Sequence, residues 1–288
     1  KKMFRLLQGD VGSGKTIVSL LSAYNTITKK LNYSLTIDQL KSLNEINQDL
    51  KSNKKMFRLL QGDVGSGKTI VALIASLNVI SSKYQVAFMA PTEILAQQHF
   101  RLAEKIFEKN IKIKMLTSKT DNKERKQILN SLASGKIDLL IGTHSLFQEK
   151  IKFKKLGLII IDEQHKFGVK QRKKLSDKGG KNCDVLVMSA TPIPRTMIMT
   201  VFGDMDTSII KTKPNNRKNV ITYSKPDTKV EEIIMFIKKH IKNGDQIFWV
   251  CPLIEESKKL DHQSSIKRYE ILKKVFNNKV GLLHGALD

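Results

Sequence analysis

Gly62-Asp63-Val64-Gly65-Ser66-Gly67-Lys68-Thr69 sets a glycine, four residues and Gly-Lys-Thr between a short apolar run, Phe57 to Leu60, and an apolar helix start at Ile70. Strand, glycine-rich turn and helix in that order let backbone amides wrap a phosphate. The glycines allow close approach, and the helix amino terminus adds positive potential. Lys68 can reach the β and γ phosphates, and the Thr69 hydroxyl can ligate Mg²⁺. Gly62, Gly65, Ser66 and Gly67 complete the cradle. Such a loop works only at the carboxyl ends of neighbouring parallel strands, so the chain is constrained to an α/β fold.

The pattern downstream agrees. Gln85 to Ala90, Ile111 to Leu116, Asp138 to Gly142, Leu156 to Ile161, Asp184 to Ser189 and Ser208 to Thr212 read as strands. Helical patterns such as Glu93 to Glu108 and Asn122 to Ala133 separate them,. Alternating strands and helices predict a doubly wound parallel sheet. Leu156 to Ile161 is apolar on both faces, as a central strand must be, and it ends in Asp162-Glu163. Two carboxylates at that tip suit nucleotide hydrolysis, with Asp162 holding Mg²⁺ through its water shell and Glu163 orienting and deprotonating the attacking water.

Residues 1 to 18 recur letter for letter as residues 54 to 71, and the identity then decays. A solenoid would show further, diverged copies, so this is a local duplication. The first copy, Gly9 to Thr16, is an equally good string in a poorer setting, because polar, Asn-rich chain follows it instead of the next strand. Residues 1 to 30 are therefore expected to be a non-functional duplicate.

Charge narrows the partners. Lys plus Arg number 51 against 27 Asp plus Glu, a formal net charge of +24. Such surplus rewards binding to a polyanion through counterion release, and nucleic acid fits best. No run of about 18 uncharged apolar residues is present, so no membrane span is expected. Cys183 and Cys251 lie far apart in hydrophobic contexts, which argues for a reducing cytoplasm and against a disulfide framework,.

Asp162-Glu163-Gln164-His165, continued by Lys166-Phe167-Gly168-Val169, resembles the D-E-x-H box of superfamily 2 helicases in the form it takes in the RecG family. Leu35-Thr36 with Gln39 is similar to the adenine-reading Q motif, and Tyr33 could either stack on adenine or serve as a core aromatic. Ala90-Pro91-Thr92-Glu93-Ile94-Leu95-Ala96 resembles motif Ia, Gly142-Thr143-His144 motif Ib, and Ser189-Ala190-Thr191-Pro192-Ile193-Pro194-Arg195-Thr196 motif III. Phe202 to Asp206, Val250 to Ser257 and Leu283-His284-Gly285 also look like that family, so the resemblance covers residues 31 to 288. The transcription-repair coupling translocases are the nearest rival. Gln164 stands where that rival would carry a second Glu.

The resemblance implies a RecA-like domain over 31–212 and the start of a second over 220–288, with strands near Val220 to Ser224, Gln246 to Val250 and Val280 to Leu283. It implies ATP and Mg²⁺ as ligands and branched or duplex DNA as partner, with no membrane and a monomer acting in the bacterial cytoplasm. Thr92 and Thr143 would touch DNA backbone; His165, Ser189 and Thr191 would couple nucleotide state to DNA grip. The expected activity is ATP-dependent remodelling of branched DNA. The basic segment Lys166 to Lys181 reads either as a DNA-facing helix or as a solvated face,. The family's motifs V and VI, its wedge domain and its carboxyl-terminal translocation element are not found in the sequence. The alternative expectation is a catalytically incomplete piece that binds nucleotide and DNA.

Overall fold

The computed structural model describes residues 34–52, 54–148, 150–163, 183–191, 205–212, 220–251 and 265–284. The duplicated segment, Tyr33, His165, the basic run to Lys181, Pro192 to Asp204, Pro252 to Ser257 and Gly285 lie outside them.

Two units are present, one running to Lys218 and one from Asn219. The first is built on seven strands: β1 (Phe57–Gly62), β2 (Gln85–Met89), β3 (Ile113–Leu116), β4 (Leu139–Gly142), β5 (Leu156–Asp162), β6 (Asp184–Ser189) and β7 (Asp206–Ile210). Their order is β3-β4-β2-β5-β6-β1-β7, and every neighbouring pair is parallel. All the carboxyl ends therefore share one edge of the sheet.

Side chains alternate across a strand, and the two faces have separate cores. Leu60, Phe88, Leu158, Ile160, Leu186 and Met188 point to one, where helices α1 (Ile37–Lys51), α2 (Lys68–Ser81) and α3 (Glu93–Ile106) cover them. Leu59, Met89, Ile159, Ile161, Val185 and Val187 point to the other, which receives Ile128 and Leu132 of α4 (Asn122–Ala133). This is the doubly wound α/β sheet the alternation predicts. Helix α2 is buried from Ile70 through Ala75 without a polar face. Such a helix needs cover all round, and α1 provides it opposite the sheet, with Asn78 Nδ2 donating to Asn47 Oδ1 at 2.6 Å.

Two boundaries differ from expectation because of hydrogen bonds made at the strand ends. Strand β7 is expected over Ser208 to Thr212 and is found over Asp206–Ile210. Its ladder with β1 ends at Gly62↔Ile210, and the next two amides, of Lys211 and Thr212, donate to Asp38 Oδ2 at 2.9 and 2.8 Å. Strand β3 begins at Ile113 because Ile111 lies in a turn, its N–H donating to the Glu108 carbonyl.

In the second unit the described residues form α5 (Val230–Lys242) and α6 (Ser265–Phe276). The strands expected near Val220, Gln246 and Val280 are not formed among the described residues. A strand is defined by its ladder, and none of these stretches is paired.

Candidate nucleotide site

Strand β1 delivers Gly62 to the carboxyl edge, and the chain turns sharply there. Ser66 N–H donates to the Asp63 carbonyl at 3.0 Å, and Gly65 and Gly67 take φ of 77° and 87°, a left-handed region costly for any side chain. A Cβ on Gly62 would lie 2.6 Å from Ser66 Oγ, and one on Gly67 would collide with the Gln39 amide. Gly67 caps α2 without any side-chain bond, so the first amides of that helix remain for an anion. Ser66 Oγ is buried and has no hydrogen-bond partner among the described residues. An orphaned buried hydroxyl in a loop of this shape fits a phosphate-bearing ligand.

Lys68 Nζ lies across the loop, donating to the carbonyls of Gly62 at 2.5 Å and Asp63 at 3.1 Å. Burial pushes its pKa below the ordinary lysine value, while the carboxylates of Glu163, Asp162 and Asp63 oppose that shift. The tip of β5 ends at the same carboxyl edge as the loop, with β6 between the two strands. Asp162 is buried, and Glu163 follows it at φ 51°. A left-handed glutamate is uncommon strain, of the kind kept where surrounding structure needs it. Thr69 is half-buried at the start of α2. Among the described residues no three His, Cys, Asp or Glu side chains converge on a metal position. That is compatible with Mg²⁺, which binds through one or two protein groups plus phosphates and waters. Thr69 and Asp162 are the residues that would hold it.

Gln39 is buried at the first turn of α1. Its Oε1 accepts from Thr36 N–H at 2.9 Å, the Thr36 hydroxyl accepts from Gln39 N–H at 3.3 Å, and its Nε2 donates to the Ser66 carbonyl at 2.6 Å. Both ends of the amide are thus engaged with the protein, one of them on the phosphate loop.

Ser189 ends β6, in register with Gln61 of β1. Its Oγ lies 3.0 Å from Thr191 Oγ1, and Gln61 Nε2 reaches the Thr191 carbonyl at 3.4 Å. Thr92 caps α3, its Oγ1 accepting from Leu95 N–H at 3.3 Å. Thr143 follows β4, and the two threonines leave adjacent strand ends, joined by Ala90 N–H to the Gly142 carbonyl at 2.9 Å. Thr92 is exposed and Thr143 half-exposed.

A scan against family models matches the DEAD/DEAH box helicase description over residues 36–200. The chain belongs to the DEAD/DEAH box helicase family. Within it, the chain is 51% identical over 262 residues to the ATP-dependent DNA helicase RecG of Bacillus subtilis, covering 90% of this chain and 38% of that protein. The RecG of Thermotoga maritima is 49% identical, with 90% and 34% covered. The solved structure of RecG bound to a three-way DNA junction superposes with a TM-score of 0.72 at 41% identity, covering 91% of this chain and 33% of that one. The chain thus spans about a third to two-fifths of the length of these relatives. The solved structure of Mss116p bound to single-stranded RNA and AMP-PNP, 20% identical, shares the fold with a TM-score of 0.59, covering 80% of this chain and 52% of that one.

Two features of this DEAD/DEAH box domain escape its motifs. His99 lies 2.8 Å from Asp162; in sequence it is one polar residue in the buried stripe Ala96, Ala103, Ile106 of α3, and only that interruption signals it. Arg58, inside an otherwise apolar strand, is buried against Asp49, Ser208 and Glu45. No helix among the described residues is long and apolar enough to cross a membrane.

Proposed function

We propose that this chain is the motor portion of an ATP-driven DNA translocase that remodels branched DNA in the cytoplasm, its nucleotide domain over 31–212 and part of a second domain over 220–288. The observation that carries the reading is the placement of the phosphate loop and the Asp162-Glu163 tip at one carboxyl edge of the parallel sheet, with β6 between β1 and β5. Lys68, the amides of the loop and the Ser66 hydroxyl bind the phosphates. Thr69 and Asp162 hold Mg²⁺, which neutralises phosphate charge. Glu163 orients the attacking water and takes its proton. Gln39 belongs to the nucleotide site through its bond to the loop. Ser189 and Thr191, tied to Gln61 beside the loop, couple nucleotide state to the DNA-facing threonines Thr92 and Thr143; His165 joins them on the strength of the motif alone. DNA as the substrate is supported by the RecG relatives and by the +24 charge.

ATP turnover measured with and without forked DNA tests this, using Lys68→Ala and Glu163→Gln. The lysine variant should lose nucleotide binding and turnover, because the phosphates lose their mobile cation. The glutamine variant should bind nucleotide and not turn it over. Undiminished turnover in Lys68→Ala would sink the assignment.

A further inference from the structure

Helix α3 reaches the nucleotide site as well as the exposed edge where Thr92 stands. Two turns after that cap, His99 places Nε2 2.8 Å from Asp162 Oδ2, the two side chains being only 8% and 10% exposed. A carboxylate only accepts, so Nε2 carries the proton. The ring is fixed from behind: it stacks on Phe88 with centroids 4.7 Å apart and planes at 24°. Phe88 lies on β2 in register with Ile160 of β5, two residues before Asp162. Helix, β2 and β5 thus converge on one carboxylate oxygen.

Packing alone does not call for this. Ala96, Ala103 and Ile106 fill the same face of α3 with apolar groups, and a buried polar pair carries a desolvation cost that a leucine would avoid. The bond falls on the single carboxylate assigned to Mg²⁺. We propose that His99 is a positioning residue: by donating to Oδ2 it sets the orientation of Asp162 for Mg²⁺ and ties that orientation to the helix that Thr92 begins. This rests on the reading of Asp162 as the Mg²⁺ carboxylate of an ATP site.

The test is the Mg²⁺ dependence of nucleotide binding by the full chain, read with a fluorescent ADP analogue across a Mg²⁺ titration and again in EDTA, alongside thermal melting. His99→Leu keeps the volume and removes the donor. It should weaken the Mg²⁺ affinity of the nucleotide complex about tenfold or more, the usual effect of losing a partner behind a metal ligand, with binding in EDTA unchanged. His99→Gln, whose amide can reach the same oxygen, should restore most of the loss. Should the leucine variant not fold, His99→Asn, with a shorter reach, takes its place against His99→Gln. The proposal is overturned by a wild-type Mg²⁺ affinity in the donor-less variant, by equal losses with and without Mg²⁺, or by a folded glutamine variant as weak as the donor-less one. Failure of the underlying ATP-site reading looks different: the unmodified chain would then show no Mg²⁺-dependent binding, or Lys68→Ala would leave binding untouched.

Discussion

Gln39 and Ser66, 27 residues apart, are joined by a buried hydrogen bond of 2.6 Å from the Gln39 amide to the Ser66 carbonyl. The bond runs from the first turn of α1 to the glycine-rich turn after β1, and the oxygen of the same side-chain amide closes the capping box with Thr36. A side chain committed at both ends acts on the shape of the loop before it acts on a base.

Gln39→Ala should therefore weaken ADP and GDP binding by a common factor. Leaving the Ser66 carbonyl and the Thr36 amide without partners costs about 1–3 kcal/mol in all. Parallel titrations of the two nucleotides decide the matter: a loss confined to ADP would mean that Gln39 reads adenine directly.

The phosphate loop, the acidic strand tip and the alternation of strands were legible because each is a local pattern with one physical meaning. Leu156 to Ile161 read as a central strand, and Gly62 to Thr69 as a glycine-rich turn between strand and helix. What escaped was set by distant partners. The end of β7 is fixed by Asp38, which lies 173 residues from Lys211 in sequence and takes its amide; periodicity within β7 holds no trace of that. The His99 bond to Asp162 spans 63 residues. In the second unit the apolar runs near Gln246 and Val280 carry strand-like composition, but pairing decides a strand, and composition cannot supply a partner.

Arg58 is the joint between the sheet and α1. Its Nε donates to Asp49 Oδ2 at 2.6 Å and its Nη1 to Ser208 Oγ at 3.0 Å, with Glu45 at 3.6 Å and the Ser208 hydroxyl in turn donating to Glu45. Asp206, 3.9 Å away and 71% exposed, adds little. Arg58→Leu should destabilise the first unit by about 3 kcal/mol, because it strands two carboxylates against the helix. Urea unfolding checks this. A loss under about 0.5 kcal/mol, the ordinary effect of a surface change, would show that the guanidinium is not a structural joint.

Cys183 precedes β6 and is fully buried, which pushes its thiol up to about 12 from the ordinary 9.0. The sign follows from proton linkage: in the window between these values the folded state holds a proton the unfolded state releases, so stability falls as pH rises. The contribution is whole below about 9 and gone above about 12. Denaturation at pH 8 and pH 10.5 should show a steeper alkaline loss in the unmodified chain than in Cys183→Ala. Iodoacetamide at pH 8 should also modify Cys183 only as the unit unfolds. Rapid labelling under native conditions, or identical alkaline loss in the variant, would contradict the buried thiol.

The duplicated phosphate loop poses a question of occupancy. Two identical strand-loop-helix strings, residues 1 to 18 and 54 to 71, compete for one position. In the sheet that position is taken by Phe57–Gly62, hydrogen-bonded to β6 on one side and β7 on the other. A phosphate loop acquires its chemistry from what surrounds it. Here the surroundings are the Asp162-Glu163 tip, whose charges act on Lys68, and the Gln39 amide bonded to Ser66. Chain connectivity favours the second copy, since α2 and β2 follow it directly, whereas the first copy is followed by polar chain leading to α1. One Mg²⁺-nucleotide analogue should therefore bind per chain in a calorimetric titration, removed by Lys68→Ala and insensitive to Lys15→Ala. Two equal sites would show that the loop sequence binds without its neighbours, and loss on Lys15→Ala would show that the first copy can take the strand position in solution.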